Sequence, residues 1–279
     1  MIETIEREQH KGIHLKRSIR TVAKRKGEWL ENVKANAPRI VRDGSELWLD
    51  SNYPEMISVA AGPSLSEDFE ALLRLRPNRE VVAVDAALKF CLDNGLEPDY
   101  AVVTDASDKI LPMIKDLGPI KTKLLLNVVA HPSIAPNWPG EVYWFVMANQ
   151  FYDLDHKAMI QDMHSLTSKV GLKIVPGGNV SSIALGFALG VRNADKLFLF
   201  GHDFCWKKSM YCGGYMPDLA EERIASELRS GTIYKEKNTR GDSIFTNLSL
   251  MQFAKWHSDV IGCGRSRVVN CTSSTILTF

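Results

Sequence analysis

The chain has 279 residues, a formal net charge of +1, 45% hydrophobic and 24% charged residues, and five cysteines. A chain of this size and composition can bury a hydrophobic core without disulfides or metal ions. Because its net charge is close to zero, it has no general attraction to nucleic acid, and we do not expect a nucleic-acid partner. The odd number and irregular spacing of the cysteines argue against both a disulfide framework and a typical zinc pair.

Residues 1–50 form a basic segment of predicted helices. Between residues 10 and 42, hydrophobic positions recur every three or four residues, which is the helical period. The simplest interpretation is one or two helices that pack on the rest of the chain. The alternative is an arm that binds an acidic partner or joins copies of the chain into a homo-oligomer. The sequence shows neither a signal-peptide pattern nor an apolar run of about 20 residues, so we expect a cytoplasmic protein with no membrane span.

Residues 51–279 are predicted to form one α/β domain. Short apolar runs that read as strands occupy residues 56–60, 81–84, 100–104, 123–129, 142–146, 174–176, 196–200 and 268–270. Helical segments are predicted at 67–75, 86–94 and 181–189. This alternation predicts a Rossmann-like, mostly parallel sheet with helices on both faces, which would form a nucleotide-binding catalytic domain. The polar, glycine-rich stretch 207–242 is predicted to be a long insertion or lid.

The first predicted strand ends in Gly62, Pro63 and Ser64. Ligands of open parallel sheets bind beyond the carboxyl ends of the strands, so this turn is a candidate phosphate site. Glycine lets the backbone approach a ligand closely, and the Ser64 hydroxyl is expected to cap the following helix. An ordinary strand–helix turn would look the same, and the sequence contains neither a dinucleotide-binding fingerprint nor a Walker A motif.

A second glycine-containing turn repeats this pattern. It comprises Gly177, Gly178, Asn179, Ser181 and Ser182. Paired glycines before a helix that starts with two hydroxyls suit a second phosphate or sugar contact. The alternative is a simple connection with a serine cap.

Three carboxylates, Asp85, Asp105 and Asp203, follow three predicted strands, and His202 precedes the last of them. Such carboxylates could hold Mg²⁺ together with substrate phosphates, or bind sugar hydroxyls. His202 could act as an acid or base near neutral pH. Solvated loop acids and a histidine bonded to backbone are the simpler alternatives.

Five ordered motifs resemble the MAF/DUF115 family. They are Val-Ala-Ala-Gly-Pro-Ser-Leu at 59–65, Val-Ala-Val-Asp-Ala-Ala-Leu at 82–88, Pro-Asp-Tyr-Ala-Val-Val-Thr-Asp at 98–105, Gly-Gly-Asn-Val-Ser-Ser-Ile-Ala-Leu at 177–185, and Gly-His-Asp-Phe at 201–204. The family takes in motility-associated flagellin glycosyltransferases and 6-hydroxymethylpterin pyrophosphokinase-like proteins. The resemblance spans roughly residues 27–275, and the segments 29–32, 245–246 and 269–272 look more like the glycosyltransferase branch.

A more distant similarity is to bacterial sialyltransferases that use CMP-linked sialic acid. The turn at 60–65, the serines 181–182 and the motif 201–204 match elements of those enzymes. They use a later histidine as general base, whereas this chain has Asp242 near that place. This departure leaves His202, Asp203 or Asp242 as the candidate catalytic base.

The resemblance implies a glycosyltransferase without a tightly bound cofactor. It would move a nonulosonic (sialic-type) sugar from CMP to a hydroxyl of a protein or glycan acceptor. Gly62, Pro63, Ser64 and Ser182 would then hold the nucleotide phosphate, with Asp85 and Asp105 at ribose, sugar or metal. One alternative is a pyrophosphokinase that transfers diphosphate from ATP to a pterin-like alcohol, with Mg²⁺ on Asp85, Asp105 and Asp203. The other is a non-catalytic nucleotide-binding or assembly protein.

Overall fold

A computed structural model describes residues 25–48, 55–148, 167–214, 220–264 and 267–279. The strands in chain order are β1 Glu55–Val59, β2 Glu80–Val84, β3 Tyr100–Val103, β4 Lys123–Asn127, β5 Val142–Met147, β6 Lys173–Ile174, β7 Lys196–Phe200, β8 Tyr234–Lys237, β9 Ser243–Thr246 and β10 Arg267–Asn270. Eight of them form one parallel sheet in the order β10-β7-β1-β2-β3-β4-β5-β6, and β8 and β9 form a separate antiparallel hairpin. The predicted α/β class with a mostly parallel sheet is confirmed.

Helices connect these strands. They are α1 at 25–36, α2 Leu65–Leu75, α3 Asp85–Asp93, α4 Leu111–Ile114, α5 Ile134–Asn137, α6 Val180–Gly186, α7 Glu221–Arg229 and α8 Leu248–Cys263. A π-helical turn, Phe187–Val191, continues α6, and short 3₁₀ turns lie at Ala37–Arg39, Gly44–Leu47, Asp108–Ile110 and Cys212–Gly214. The sequence pattern anticipated α2, α3 and α6 to within a few residues but gave no sign of α8 or of the hairpin.

The sheet is buried on both faces because successive residues of a strand point to opposite sides. On β3, Ala101 and Val103 belong to a core cluster with Trp29 and Val33 of α1. Val102 of the same strand belongs to a second cluster on the other face, which α6 covers. Helices therefore cover both faces, as predicted.

Helix α1 is attached firmly to the carboxyl edge of the sheet. The side-chain amide of Asn32 donates to the carbonyls of Ala106 and Val129, both at 3.0 Å. The amide of Asn36 donates to the carbonyls of residues 128 and 130 at 2.9 and 2.8 Å. The described part of the basic segment thus packs on the domain; residues 1–24, and with them most of the predicted oligomerisation surface, lie outside the described residues.

The predicted insertion at 207–242 contains α7, β8 and the turn that leads to β9. Its first part folds back over the start of α2, where the backbone N–H of Cys212 donates to the carbonyl of Ala61 at 3.0 Å. All five cysteines are free thiols. Among the helices in the described ranges, none is long and apolar enough to cross a membrane.

Candidate functional site

The centre of the sheet contains the crevice where α/β folds usually bind ligands. β1 lies between β2 and β7, so the chain leaves β1 in one direction and returns on the other side of it through β7. The strand order reverses there, and the carboxyl ends of β1 and β7 border the crevice. The backbone N–H of Gly62 donates to the carbonyl of Gly201 at 2.9 Å, which joins the two strand ends.

Ser64 and Asp203 form a buried pair across this crevice. The Ser64 hydroxyl donates to Asp203 Oδ1 at 2.7 Å, and its backbone N–H donates to Oδ2 at 2.9 Å. The prediction that the hydroxyl caps α2 is therefore wrong, because the hydroxyl is committed to the carboxylate and makes no capping bond. Burial raises the pKa of Asp203 to about 7; the two bonds from Ser64 oppose this, and nearby Asp68 and Glu67 add to it.

The N–H groups of the 62–66 turn are used within the protein. Besides those of Gly62 and Ser64, the N–H of Leu65 donates to the Gly62 carbonyl at 3.1 Å and that of Ser66 to the Pro63 carbonyl at 3.4 Å. A Cβ at Gly62 would overlap the Asp203 carboxylate and the Gly201 carbonyl. Close packing accounts for this glycine. Phosphate binding at this turn stays a prediction, and it requires the N–H groups to leave their present acceptors for the phosphate.

The polar groups of the second glycine turn also form hydrogen bonds with one another. The N–H of Gly177 donates to the Ser182 hydroxyl at 2.7 Å, and Asn179 caps α6 by accepting the N–H of Ser182 at 3.1 Å. Gly177 and Gly178 lie against aromatic rings of α8, Trp256 and Phe253, where any Cβ would overlap. The cap is thus an asparagine and not a serine, and the glycines make room for aromatic rings.

His202 lies in the interior. It is 1% exposed, with Nε2 3.2 Å from the Ser58 hydroxyl and its ring centre 5.7 Å from that of His257. Burial and the neighbouring His257 hold the pKa of His202 well below 6.5. His257 is also fully buried; its Nε2 is 3.4 Å from the hydroxyl of Ser181, and burial lowers its pKa to about 4. Both rings are neutral core residues, and a base role for His202 would require the core to open.

Asp242 lies at the turn between β8 and β9. It forms an ion pair with Lys207 at 3.0 Å, and about half of its side chain is exposed. The hydrogen bonds from Lys207 and Asn238 lower its pKa. A carboxylate with a lowered pKa is a weak base at neutral pH, so this environment does not favour Asp242 as the catalytic base.

Two carboxylates at neighbouring strand ends are the most unusual group on this edge. Asp85 begins α3 after β2, is 6% exposed, and accepts the N–H of Ala86 at 2.7 Å. Its pKa is raised to about 7, first by burial and in smaller part by the negative charge of Asp105, just after β3, while the bond from Ala86 opposes the rise. Burial also raises the pKa of Tyr211, as do the negative charges of Asp85 and Asp105, so the phenol interacts electrostatically with both carboxylates. A buried carboxyl with a strongly raised pKa at this edge, such as Asp85, marks a candidate active site.

The predicted three-carboxylate magnesium site is not formed. Across the ranges that the structure describes, no three His, Cys, Asp or Glu side chains are grouped to hold a metal ion. Asp203 turns toward the first turn of α2, where Ser64 binds it, while Asp85 and Asp105 follow the neighbouring strands β2 and β3 and interact electrostatically. Only this second pair could contribute ligands together.

The structure adds two residues that sequence reasoning missed, Arg25 and Tyr211. Arg25 Nη1 lies 3.3 Å from Asp105 Oδ1. One sequence pattern could have indicated its position: Arg25 has the spacing of a single helical face with Trp29, Asn32 and Asn36. Tyr211 lies in a polar stretch with no periodicity, so nothing in its sequence context placed it beside the carboxylates.

Comparison with known protein families identifies the family of this chain. A family model described as 6-hydroxymethylpterin diphosphokinase MptE-like matches residues 29–209, more than half of the chain. The chain belongs to the MptE-like family. This match confirms the resemblance to MAF/DUF115 proteins that the motifs indicated.

A solved structure, the MAf glycosyltransferase from Magnetospirillum magneticum AMB-1, shares the fold with a TM-score of 0.66 at 14% identity. The alignment covers 90% of this chain but 37% of that protein, so the chain spans little more than a third of its length. At this identity the likeness shows the fold alone. No curated protein matches the sequence.

Proposed function

We propose that this protein transfers a sugar or a diphosphate group from a nucleotide donor to an acceptor hydroxyl, with Asp85 as the general base of the sugar transfer. The observation that carries the proposal is the buried Asp85 carboxyl, with a pKa of about 7, beside Asp105 at the carboxyl edge of the sheet. A general base works best when its pKa is close to the working pH, and it then contributes about 10²–10⁴-fold to the rate. Asp85 meets this condition better than His202 or Asp242. The pKa of Asp203 is also about 7, but both of its oxygens already accept hydrogen bonds from Ser64.

The first form of the reaction is glycosyl transfer. In it, CMP leaves from an activated nonulosonic sugar while Asp85 takes the proton of the acceptor hydroxyl, and Asp105 and Tyr211 contact the sugar or ribose. The shared fold with a MAf glycosyltransferase supports this form, as do the motifs of the glycosyltransferase branch. We therefore favour glycosyl transfer over diphosphate transfer, and we expect the acceptor to be a glycan or protein hydroxyl.

The second form is diphosphate transfer from ATP to a pterin-like alcohol, which the description of the matching family model supports. Asp85 and Asp105 fit Mg²⁺, which takes a few carboxylate oxygens together with substrate phosphates. The ion would neutralise the phosphates during transfer. In this form both carboxylates would be ionised, and the acceptor proton would leave through another group or water.

Thermal shift with CMP, with ATP, and with ATP plus Mg²⁺ separates the two forms. A ligand that binds only the folded state raises Tm. Stabilisation by CMP without metal supports glycosyl transfer, and an ATP effect that depends on Mg²⁺ supports diphosphate transfer. A well-folded sample that none of these ligands stabilises would contradict the proposal.

Asp85→Asn tests the base. We expect the release of CMP from CMP-linked sialic acid to slow about 10²–10⁴-fold with nucleotide affinity nearly unchanged. The matched control is Asp116→Asn at an exposed position with φ 57°, a conformation that asparagine tolerates. Nucleotide binding without donor breakdown in the wild type would support the non-catalytic alternative. Equal rates in the wild type and Asp85→Asn would exclude Asp85 as the base.

A further inference from the structure

The carboxylates of the proposed site need a cation before a phosphate can approach them. Lys89, four residues after Asp85, is paired with Asp93 at 3.0 Å, and Lys207 is paired with Asp242 at 3.0 Å. Among the described residues, Arg25 is the cation with an ion pair to one of these two carboxylates, its Nη1 lying 3.3 Å from Asp105 Oδ1.

Arg25 is held at this position by the anchoring of α1. Residues 25, 29, 32, 33 and 36 share one helical face, which carries the buried Trp29 and Val33 and the two anchoring asparagines. The carbonyls that bind Asn32 and Asn36 follow β3 and β4, the same edge that carries Asp105. The helix therefore directs its first described turn at Asp105, and Arg25 is positioned in advance for a ligand.

Arg25 can give up its contact with Asp105 and bind a ligand instead. Asp105 Oδ1 also accepts the N–H and hydroxyl of Ser107 at 2.9 and 3.1 Å, so it keeps two donors when the arginine leaves. Within the described residues, the guanidinium contacts Asp105 and Glu28 through Nη1 alone, at 3.3 and 3.5 Å. Its side chain is 36% exposed, which leaves it accessible to a ligand. A guanidinium fork binds phosphate oxygens through two parallel hydrogen bonds.

We infer that Arg25 binds the phosphate of the donor nucleotide and that Asp105 holds it in place until the donor arrives. This inference rests on the proposed function, since it supplies the phosphate-binding cation of the same site. It also assigns a role to α1: the N-terminal helix completes the site.

Nucleotide and nucleoside binding, compared in matched variants, tests this inference. Affinities for CMP and ATP, each beside cytidine or adenosine, are measured by calorimetry for the wild type, Arg25→Gln, Arg25→Lys and Glu28→Gln. We expect Arg25→Gln to lose at least about tenfold in nucleotide affinity, with nucleoside affinity unchanged and a weaker salt dependence. Arg25→Lys should recover part of the loss, and Glu28→Gln should bind like the wild type because Glu28 contacts the arginine but not the site.

Two failures are distinguishable. If the wild type binds CMP or ATP and Arg25→Gln binds it equally well at every salt concentration, the arginine does not hold the phosphate, and the proposed function stands. If the wild type binds no nucleotide, the proposed function fails and this inference fails with it. Equal Tm values for the four proteins would show that a loss of affinity is not a loss of folding.

Discussion

Ser64 donates its hydroxyl and its backbone N–H to the two oxygens of Asp203, 139 residues further along the chain. This pair ties the turn after β1 to the turn after β7, at the point where the strand order of the sheet reverses. Both side chains are 2% exposed. The Gly-Pro-Ser motif, which looks like a ligand loop in the sequence, therefore also closes the centre of the sheet.

Replacing Ser64 by alanine should destabilise the fold. The substitution removes the hydroxyl donor from a buried carboxylate, and an unsatisfied buried group costs about 1–3 kcal/mol. Urea denaturation measures the loss in the free energy of unfolding. Ser66→Ala, an exposed serine of the same helix, is the control and should stay within about 0.5 kcal/mol of the wild type. Unchanged stability with weakened nucleotide binding would instead assign the hydroxyl to the ligand.

Asp203 should make stability depend on pH. Its pKa is about 7 in the folded protein, above the 3.8 of a free carboxyl, so the native state keeps its proton to higher pH. The stability that this group contributes is complete below about pH 4 and is lost as pH rises through 7. Asp203→Asn removes the titration and can still pair with Ser64 through its amide.

Between pH 5 and pH 8, the free energy of unfolding of Asp203→Asn should therefore rise relative to that of the wild type. Denaturation at several pH values measures the difference. A gap that does not change over this range would show that Asp203 is ionised throughout.

His257 should produce the opposite dependence. Burial lowers its folded pKa from 6.5 to about 4, so the unfolded state takes up a proton first as pH falls. Stability from this group is complete above about pH 6.5 and is lost as pH falls toward 4, by at most about 1.4 kcal/mol per pH unit. His257→Gln should flatten this loss in unfolding curves recorded from pH 7 to pH 4. The partly exposed His131→Gln serves as control, and an equal acid sensitivity of all three proteins would contradict the assignment.

Gly62→Ala should be destabilising for steric reasons. A Cβ there would overlap the Asp203 carboxylate and the Gly201 carbonyl, and overpacking of this kind costs about 1–3 kcal/mol. The control is Gly27→Ala, a helical position with open space around it, which should gain up to about 1 kcal/mol from helix propensity. Thermal and urea unfolding of both variants measures the contrast. A Gly62→Ala protein as stable as the wild type would mean that the turn relaxes without loss.

Local patterns predicted much of the fold but less of the site. Strands such as β2 and β4 stand out in the sequence because they are uninterrupted apolar runs between polar turns, and Asp85 and Asp105 stand out because they end such runs. α8 did not stand out, since its aromatic and polar residues pack against the 177–182 turn, and that contact is visible only in three dimensions. The cap of α6 is Asn179 for a similar reason: the Ser182 hydroxyl folds back onto its own loop.

The sequence by itself determined the class of the fold and the family, because strand periodicity and ordered motifs are properties of neighbouring residues. Tertiary structure alone decided which strand-end residues meet. Because β7 lies beside β1, Asp203 binds Ser64 and does not group with Asp85 and Asp105 as metal ligands. Because α1 docks on the ends of β3 and β4, Arg25 reaches Asp105 across 80 residues of sequence. Such pairings depend on strand order and helix placement, and no local pattern encodes either.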